Sequence, residues 1–229
     1  WGMAFLPDGQ LLITERNTGQ LRILSTDNTL SGPVDGVPDV WAHGQGGLMD
    51  VALHPGFAEN NYVYLSYAKP GQNGKAATAL GRGKLAQDRI EDFHDIFVQK
   101  PFVRGPNHFG NRIAFTADGH YLFLALGERF KFDPAQDLSN HLGKVIRIYP
   151  DGSLPEDNPF VARENAQEEI WSYGHRNIEA MAFQPETGEL WIGEMGPRGG
   201  DELNKVERGA NYGWPVVSCG EPYGGRNIP

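Results

Sequence analysis

One pattern recurs four times along the chain and limits what it can fold into: "MAFLPDGQLLIT" from Met3, "VALHPGFAENNYVYLSYA" from Val51, "IAFTADGHYLFLAL" from Ile113 and "MAFQPETGELWIGE" from Met181. Each copy is an apolar triplet, a turn containing Pro, Gly or Asp, and a second run of aromatic and β-branched residues, the pattern of a β-hairpin. The shared alanines, Ala4, Ala52, Ala114 and Ala182, stand 48, 62 and 68 residues apart. A unit of that size holds four strands and variable loops, as a propeller blade does. The expected fold is therefore an all-β propeller, of which this chain covers roughly four blades as a single domain over residues 1–229.

Further strand candidates fill the units: "QLRIL" at 20–24, "DIFVQK" at 95–100, "GKVIRIYP" at 143–150 and "EIWSYG" at 169–174. The single plausible helical turn is "PAQDLSNHL" at 134–142, which stops at Gly143. Two long stretches, "KPGQNGKAATALGRG" and "DGSLPEDNPFVAREN", have loop composition. A closed ring needs a full set of blades, and an open one leaves strand edges uncovered. Because Trp1 is not a natural start, the chain reads as an excerpt lacking the final blades, with any signal peptide upstream.

With 229 residues, a compact body would bury roughly 70% of its unfolded surface. Gly 30 and Pro 16 scatter turns throughout, and 39% hydrophobic content excludes a disordered chain. A net charge of −9 without a basic stripe argues against nucleic acid. No run of eighteen apolar residues provides a membrane-spanning helix. Cys219 is the only cysteine, so no internal disulfide forms.

Four clusters at strand edges could carry chemistry: "HGQGG" at 43–47, "GPNHFGNR" at 105–112, "YGHRNIEAMAF" at 173–183, and "IGEMGPRGGDELN" at 192–204 with its sequel "ERGANYGWP". In a propeller, loops entering successive blades converge at the channel, so clusters far apart in sequence can line one pocket. His108, between Gly105–Pro106 and Gly110, suits proton abstraction from an alcohol when a carboxylate fixes its tautomer, and Glu128 is the candidate carboxylate. Arg176 and Asn177 pair a cationic fork with an amide, suited to carboxylate or carbonyl oxygens. The carbonyls of Gly196 and Pro197 can face a hard cation, and Glu202 with Tyr212 could serve a second. Each has a plainer alternative: a hydrogen-bonded loop histidine, a loop salt bridge, or a solvated turn at Asp201 and Glu202.

Together, "GQGGLMDVALHPGF", "NHFGNRIAF", "AQDLSNHLGKVIRI", "PEDNPF", "YGHRN", "GEMGPRGGDELN" and "GANYGWP" resemble, in order and spacing, the soluble pyrroloquinoline quinone (PQQ)-dependent aldose sugar dehydrogenases of the glucose/sorbosone dehydrogenase family. The resemblance implies a six-bladed β-propeller, PQQ over the channel mouth, and oxidation of aldoses at C1 to lactones with hydride passing to the quinone. On it, His108 is the general base, and Gln45, Arg176 and Asn177 contact the quinone, as does Tyr223. Arg176 stabilises charge on the reduced cofactor. The Gly196 and Pro197 carbonyls hold the Ca2+ that anchors PQQ, and Glu202 and Tyr212 match a second, structural Ca2+ site. Asn107 and Glu128 depart from the better-known soluble glucose dehydrogenases, which carry aspartate at both positions, and point to broad sugar use. The basic residues that clasp the quinone carboxylates belong to the family's last blades, beyond Pro229. An external electron acceptor and a periplasmic or secreted location are also implied. The alternatives are a non-catalytic propeller binding a glycan or protein, and a calcium-dependent lactonase.

Overall fold

The computed structural model describes residues 1–221 and 223. These contain fifteen strands in four antiparallel sheets, and the chain separates into two compact units. The first unit comprises Trp1–Val98 with Phe102–Pro106; the second comprises Gln99–Pro101 and the chain from Asn107 onward.

In the first unit, β1 (Met3–Phe5), β2 (Leu11–Glu15) and β3 (Gln20–Leu24) form one sheet. Its second sheet contains β4 (Leu48–Leu53), β5 (Tyr62–Pro70), β6 (Lys75–Ala86) and β7 (Arg89–Val98), with β8 (Val103–Arg104) beside β6. In the second unit, β9 (Gly110–Phe115), β10 (Leu122–Leu126), β11 (Lys144–Ile148) and β12 (Ile170–Tyr173) form one sheet, and β13 (Ile178–Phe183), β14 (Leu190–Glu194) and β15 (Glu202–Lys205) form another.

Each repeat copy supplies the first two strands of one sheet. The marker alanines take equivalent places in the register: Ala4 opposite Leu12, Ala52 opposite Tyr64, Ala114 opposite Phe123 and Ala182 opposite Trp191. Consecutive antiparallel sheets begun in this way are propeller blades. Small residues on the first strand and large ones opposite let neighbouring sheets approach. In the second unit Ala114, Phe123, Val145, Ile178 and Ile192 close one core, with Phe123 edge-on to Trp171 and Phe183 at 5.5 Å each. Full burial of such a side chain contributes about 1.5–3 kcal/mol.

Two expectations need correction. "KPGQNGKAATALGRG" is loop only in its first turn, because Lys75–Ala86 is a twelve-residue strand whose Ala76, Ala77 and Ala79 are fully buried. Its residues are small because neighbours fill the space: a Cβ on Gly81 would lie 2.4 Å from Phe93 Cζ, and one on Gly83 2.3 Å from Ile90 Cγ2. The helical turn expected over 134–142 is only a 3-10 turn at Asp133–Gln136. "DIFVQK" marks the end of the longer β7. The stretch 151–165 holds no strand, and buried Asn158 ties it to the sheet by donating to Arg147 O (2.9 Å) and Glu168 O (3.0 Å).

Lys144, at the start of β11, is fully buried. Its Nζ donates to Pro134 O (2.9 Å), Ala135 O (3.0 Å) and Leu142 O (2.6 Å), the first two of which a helix over 134–142 would have bonded internally. Burial pushes the ammonium down to about 7, against the attraction of Asp137. An unfolded lysine titrates near 10.4. Below about 7 both states bind the proton and the burial penalty applies in full; between about 7 and 10 the unfolded chain binds more protons, so stability rises with pH. Urea unfolding at pH 7 and pH 9 should show wild type gaining on Lys144→Met by up to about 1.4 kcal/mol per pH unit. Equal pH slopes would show that the three carbonyls hold the ammonium at its ordinary value.

Candidate active site

His108 precedes β9 in a segment of left-handed backbone: φ is 52° at His108, 70° at Gly110 and 89° at Asn111. Such conformations cost about 1–3 kcal/mol at non-glycine residues and persist only where the surroundings enforce them. Here Gly127 makes room, since a Cβ on it would stand 2.1 Å from His108 O. The next residue, Glu128, is fully buried, and its Oε1 lies 2.5 Å from His108 Nδ1. Its Oε2 accepts from the backbone N–H of Lys131 and of Phe132 (2.6 Å). Three N–H groups on two oxygens suit an ionised carboxylate, which places the imidazole proton on Nδ1 and the acceptor lone pair on Nε2.

Glu128 also caps a turn with left-handed Arg129 (φ 59°), Phe130 (φ 58°) and Phe132 (φ 66°). Arg129 is fully buried; its Nε donates to Asn107 O (3.0 Å) and its guanidinium covers the Phe109 ring at 3.5 Å. Burial pushes Arg129 down to about 10, with Glu128 opposing. Phe130 stands edge-on to His108 at 5.1 Å.

Arg176 and Asn177 precede β13, at the end of the sheets that also carries His108 and Glu128. Glu128 N donates to Arg176 O (2.9 Å), and Gly110 N donates to Asn177 Oδ1 (3.2 Å), so the two sheets are joined beside the histidine. Asn177 Nδ2 donates to Glu179 Oε1 (2.6 Å). Arg176 is 4% exposed. Its Nη1 donates to Met195 O and Gly196 O, both at 2.8 Å, and its Nε has no hydrogen-bond partner among the described residues. Burial lowers its pKa, while Glu128, Tyr223, Glu194 and Asp201 pull it back up. Trp214 lies 5.2 Å from the guanidinium and Tyr223 5.9 Å, as aromatic walls.

The Gly196–Pro197 turn is held by Gly196 N donating to Asp201 Oδ1 (2.9 Å). Glu202 Oε2 accepts from Asn204 (2.9 Å). The Tyr212 hydroxyl donates to Lys205 O (2.6 Å) and accepts from Glu207 N (2.8 Å). Among the described residues no hydrogen bond joins Glu202 to Tyr212, and no group of three or more His, Cys, Asp or Glu side chains is placed to hold a metal. Gln45 belongs to the first unit, where its backbone N–H donates to Pro106 O (2.8 Å).

The second unit thus brings together His108, Glu128, Arg176, Asn177, Gly196 and Tyr223, from three of the four sequence clusters and the chain beyond them. Sequence reasoning missed His175, Glu194 and Trp214. Glu194 had a readable signal: "GE" stands at the exit of the second strand in both "LALGE" and "WIGE", and both glutamates bind a histidine ahead of the preceding strand. Trp214 stood inside the quoted "GANYGWP", but nothing local showed that its ring packs beside Arg176, which depends on long-range packing.

The glucose / sorbosone dehydrogenase family profile matches residues 1–229. The chain is 48% identical to the aldose sugar dehydrogenase YliI of Escherichia coli, covering 100% of this chain and 62% of that protein. It is 31% identical to quinoprotein glucose dehydrogenase B of Acinetobacter calcoaceticus, covering 95% and 49%. A solved PQQ-bound aldose sugar dehydrogenase from Streptomyces coelicolor superposes with a TM-score of 0.80 at 30% identity, over 100% of this chain and 65% of that one. The chain therefore spans about half to three fifths of these curated relatives. On these matches and the shared sheet architecture, the chain belongs to the glucose/sorbosone dehydrogenase family.

Proposed function

We propose that the chain carries the reaction centre of a PQQ- and Ca2+-dependent dehydrogenase that oxidises aldoses at C1 to lactones. The observation supporting this most strongly is the assembly from His108 through Glu128 and Arg176 to the Gly196 carbonyl within one unit. Family membership and the sugar dehydrogenases among its relatives support an aldose as the substrate class.

The residues suit an acidic, flat quinone. Among the described residues Arg176 offers a buried guanidinium whose Nε has no hydrogen-bond partner, Trp214 adds a buried Nε1 likewise without one, and the Trp214 and Tyr223 rings flank the cation. PQQ, when bound, supplies a hydride acceptor. Arg176, with Asn177 and Tyr223 of the same unit, would hold it, the guanidinium facing its negative oxygens. His108 Nε2 takes the proton of the sugar C1 hydroxyl as the C1 hydride departs, and Glu128 keeps Nδ1–H in place and then faces the imidazolium.

Calcium enters through the main-chain oxygens of Gly196 and Pro197. Each carbonyl has two lone pairs, and Gly196 O gives one to Arg176. Glu202 lies opposite Glu194 in the register, a like-charge pair that a cation would relieve. For a second ion at Glu202 and Tyr212, the engaged tyrosine hydroxyl leaves the main-chain oxygen as the donor. An external acceptor takes the electrons, and we place the protein in the periplasm or outside the cell on the family likeness alone; no helix among the described residues is long and apolar enough to cross a membrane.

Two outcomes test this reading on the full-length protein. His108→Ala should lower kcat for dye-linked aldose oxidation by about 10²–10⁴-fold while PQQ binding, followed by absorption, persists; full turnover would remove the base. Chelating calcium should weaken PQQ binding and suppress dye reduction. Unchanged binding and turnover after chelation would remove the metal from the account.

A further inference from the structure

Beside Arg176 lies a buried row of side chains that the proposed chemistry does not use. Ser172 Oγ is 2.8 Å from His175 Nε2, and His175 Nδ1 is 2.9 Å from Glu194 Oε2. The other carboxylate oxygen, Oε1, accepts the backbone N–H of Arg176 at 2.9 Å. Ser172 and His175 are fully buried and Glu194 is 7% exposed. A neutral imidazole satisfies every partner: Nδ1–H donates to the carboxylate, and Nε2 accepts the serine hydroxyl.

The order serine, histidine, carboxylate is that of a hydrolytic triad, but function requires an acyl carbon to reach the serine. Here Ser172 has no exposed surface, and the Tyr212 ring stacks on His175 at 4.6 Å with an interplanar angle of 23°. What the row does reach is Arg176. The Glu194 carboxylate holds the Arg176 backbone, while the Arg176 side chain holds the two carbonyls that follow Glu194. The clasp is reciprocal, and His175 fixes the carboxylate at its centre.

The hairpin repeat makes this pair the counterpart of His108 and Glu128. In both, a glutamate after a glycine at the second strand's exit accepts Nδ1–H from a histidine ahead of the first strand. In His175 the other ring nitrogen, Nε2, is bonded to Ser172.

We propose that Ser172, His175 and Glu194 form a positioning relay that sets the Arg176 guanidinium and the Met195 and Gly196 carbonyls, and thereby the grip on an anionic quinone, without taking part in proton transfer. The inference rests on the reading that Arg176 contacts PQQ.

The test uses full-length protein, PQQ titration by absorption, and kcat and KM for an aldose at saturating quinone. His175→Gln moves the donor away from Glu194 and should weaken PQQ binding by about tenfold or more, the usual scale for outer-shell partners. His175→Asn presents an N–H where Nδ1 stood and should recover affinity to within about threefold of wild type. The aldose KM and the pH profile of kcat/KM should stay unchanged, since His108 carries the proton. Wild-type affinity in folded His175→Gln would overturn the relay alone, whereas a wild-type protein that takes up no PQQ would sink the functional reading with it. Where His175→Gln does not fold, Ser172→Ala decides: unchanged affinity overturns the relay, and lactone hydrolysis lost in that variant would make the row a hydrolytic triad instead.

Discussion

A carboxylate removed from water needs N–H groups to replace its lost hydration, and in this protein that requirement organises the site. Glu128 has no exposed surface and collects three N–H donors: the imidazole of His108 and two backbone amides of the turn that follows it. The left-handed backbone at His108, Arg129, Phe130 and Phe132 exists because those donors must converge on one point. Its conformational cost is offset by the satisfaction of a buried charge, to which the neighbouring Arg129 and Arg176 guanidiniums add. The same demand recurs at Glu194, with His175 and the Arg176 amide as donors. Two buried glutamates thus fix the histidine and the arginine that the proposed oxidation depends on.

The fold was legible from the hairpin repeat because alternating small and large residues at paired positions are a local property of sequence. Ala114 opposite Phe123 and Ala182 opposite Trp191 are the pairings that make the repeat visible. Where bulk was missing, so was the signal. β6 is built from alanine and glycine because Phe93 and Ile90 of the next strand fill the space above it, and that information lies in another segment. The helical pattern after Pro134 failed for a related reason: Lys144 satisfies the Pro134 and Ala135 carbonyls, which a helix would have bonded internally.

At the site, residue types pointed to His108 with Glu128 and to Arg176 with main-chain oxygens, because a base needs a carboxylate and a guanidinium needs oxygens, and the structure makes these groups neighbours. Sequence could not show that Arg176 already occupies one face of the Gly196 carbonyl, nor that the Tyr212 hydroxyl is committed to Lys205 and Glu207. Those are competitions between partners, settled only by three-dimensional packing. His175 was hidden beside the more conspicuous arginine, and only the repeated glycine–glutamate step marks it as an equivalent of His108.

The central claim is that Glu128 locks His108 with its proton on Nδ1, leaving Nε2 as the base. The most direct measurement is 15N NMR of the histidine ring nitrogens in the full-length protein near neutral pH, with His108 assigned by the loss of its signals in His108→Ala. The account predicts a protonated Nδ1 and an unprotonated Nε2 for His108, and loss of that preference in Glu128→Gln. A His108 found as the Nε2–H tautomer in the wild-type protein would contradict it.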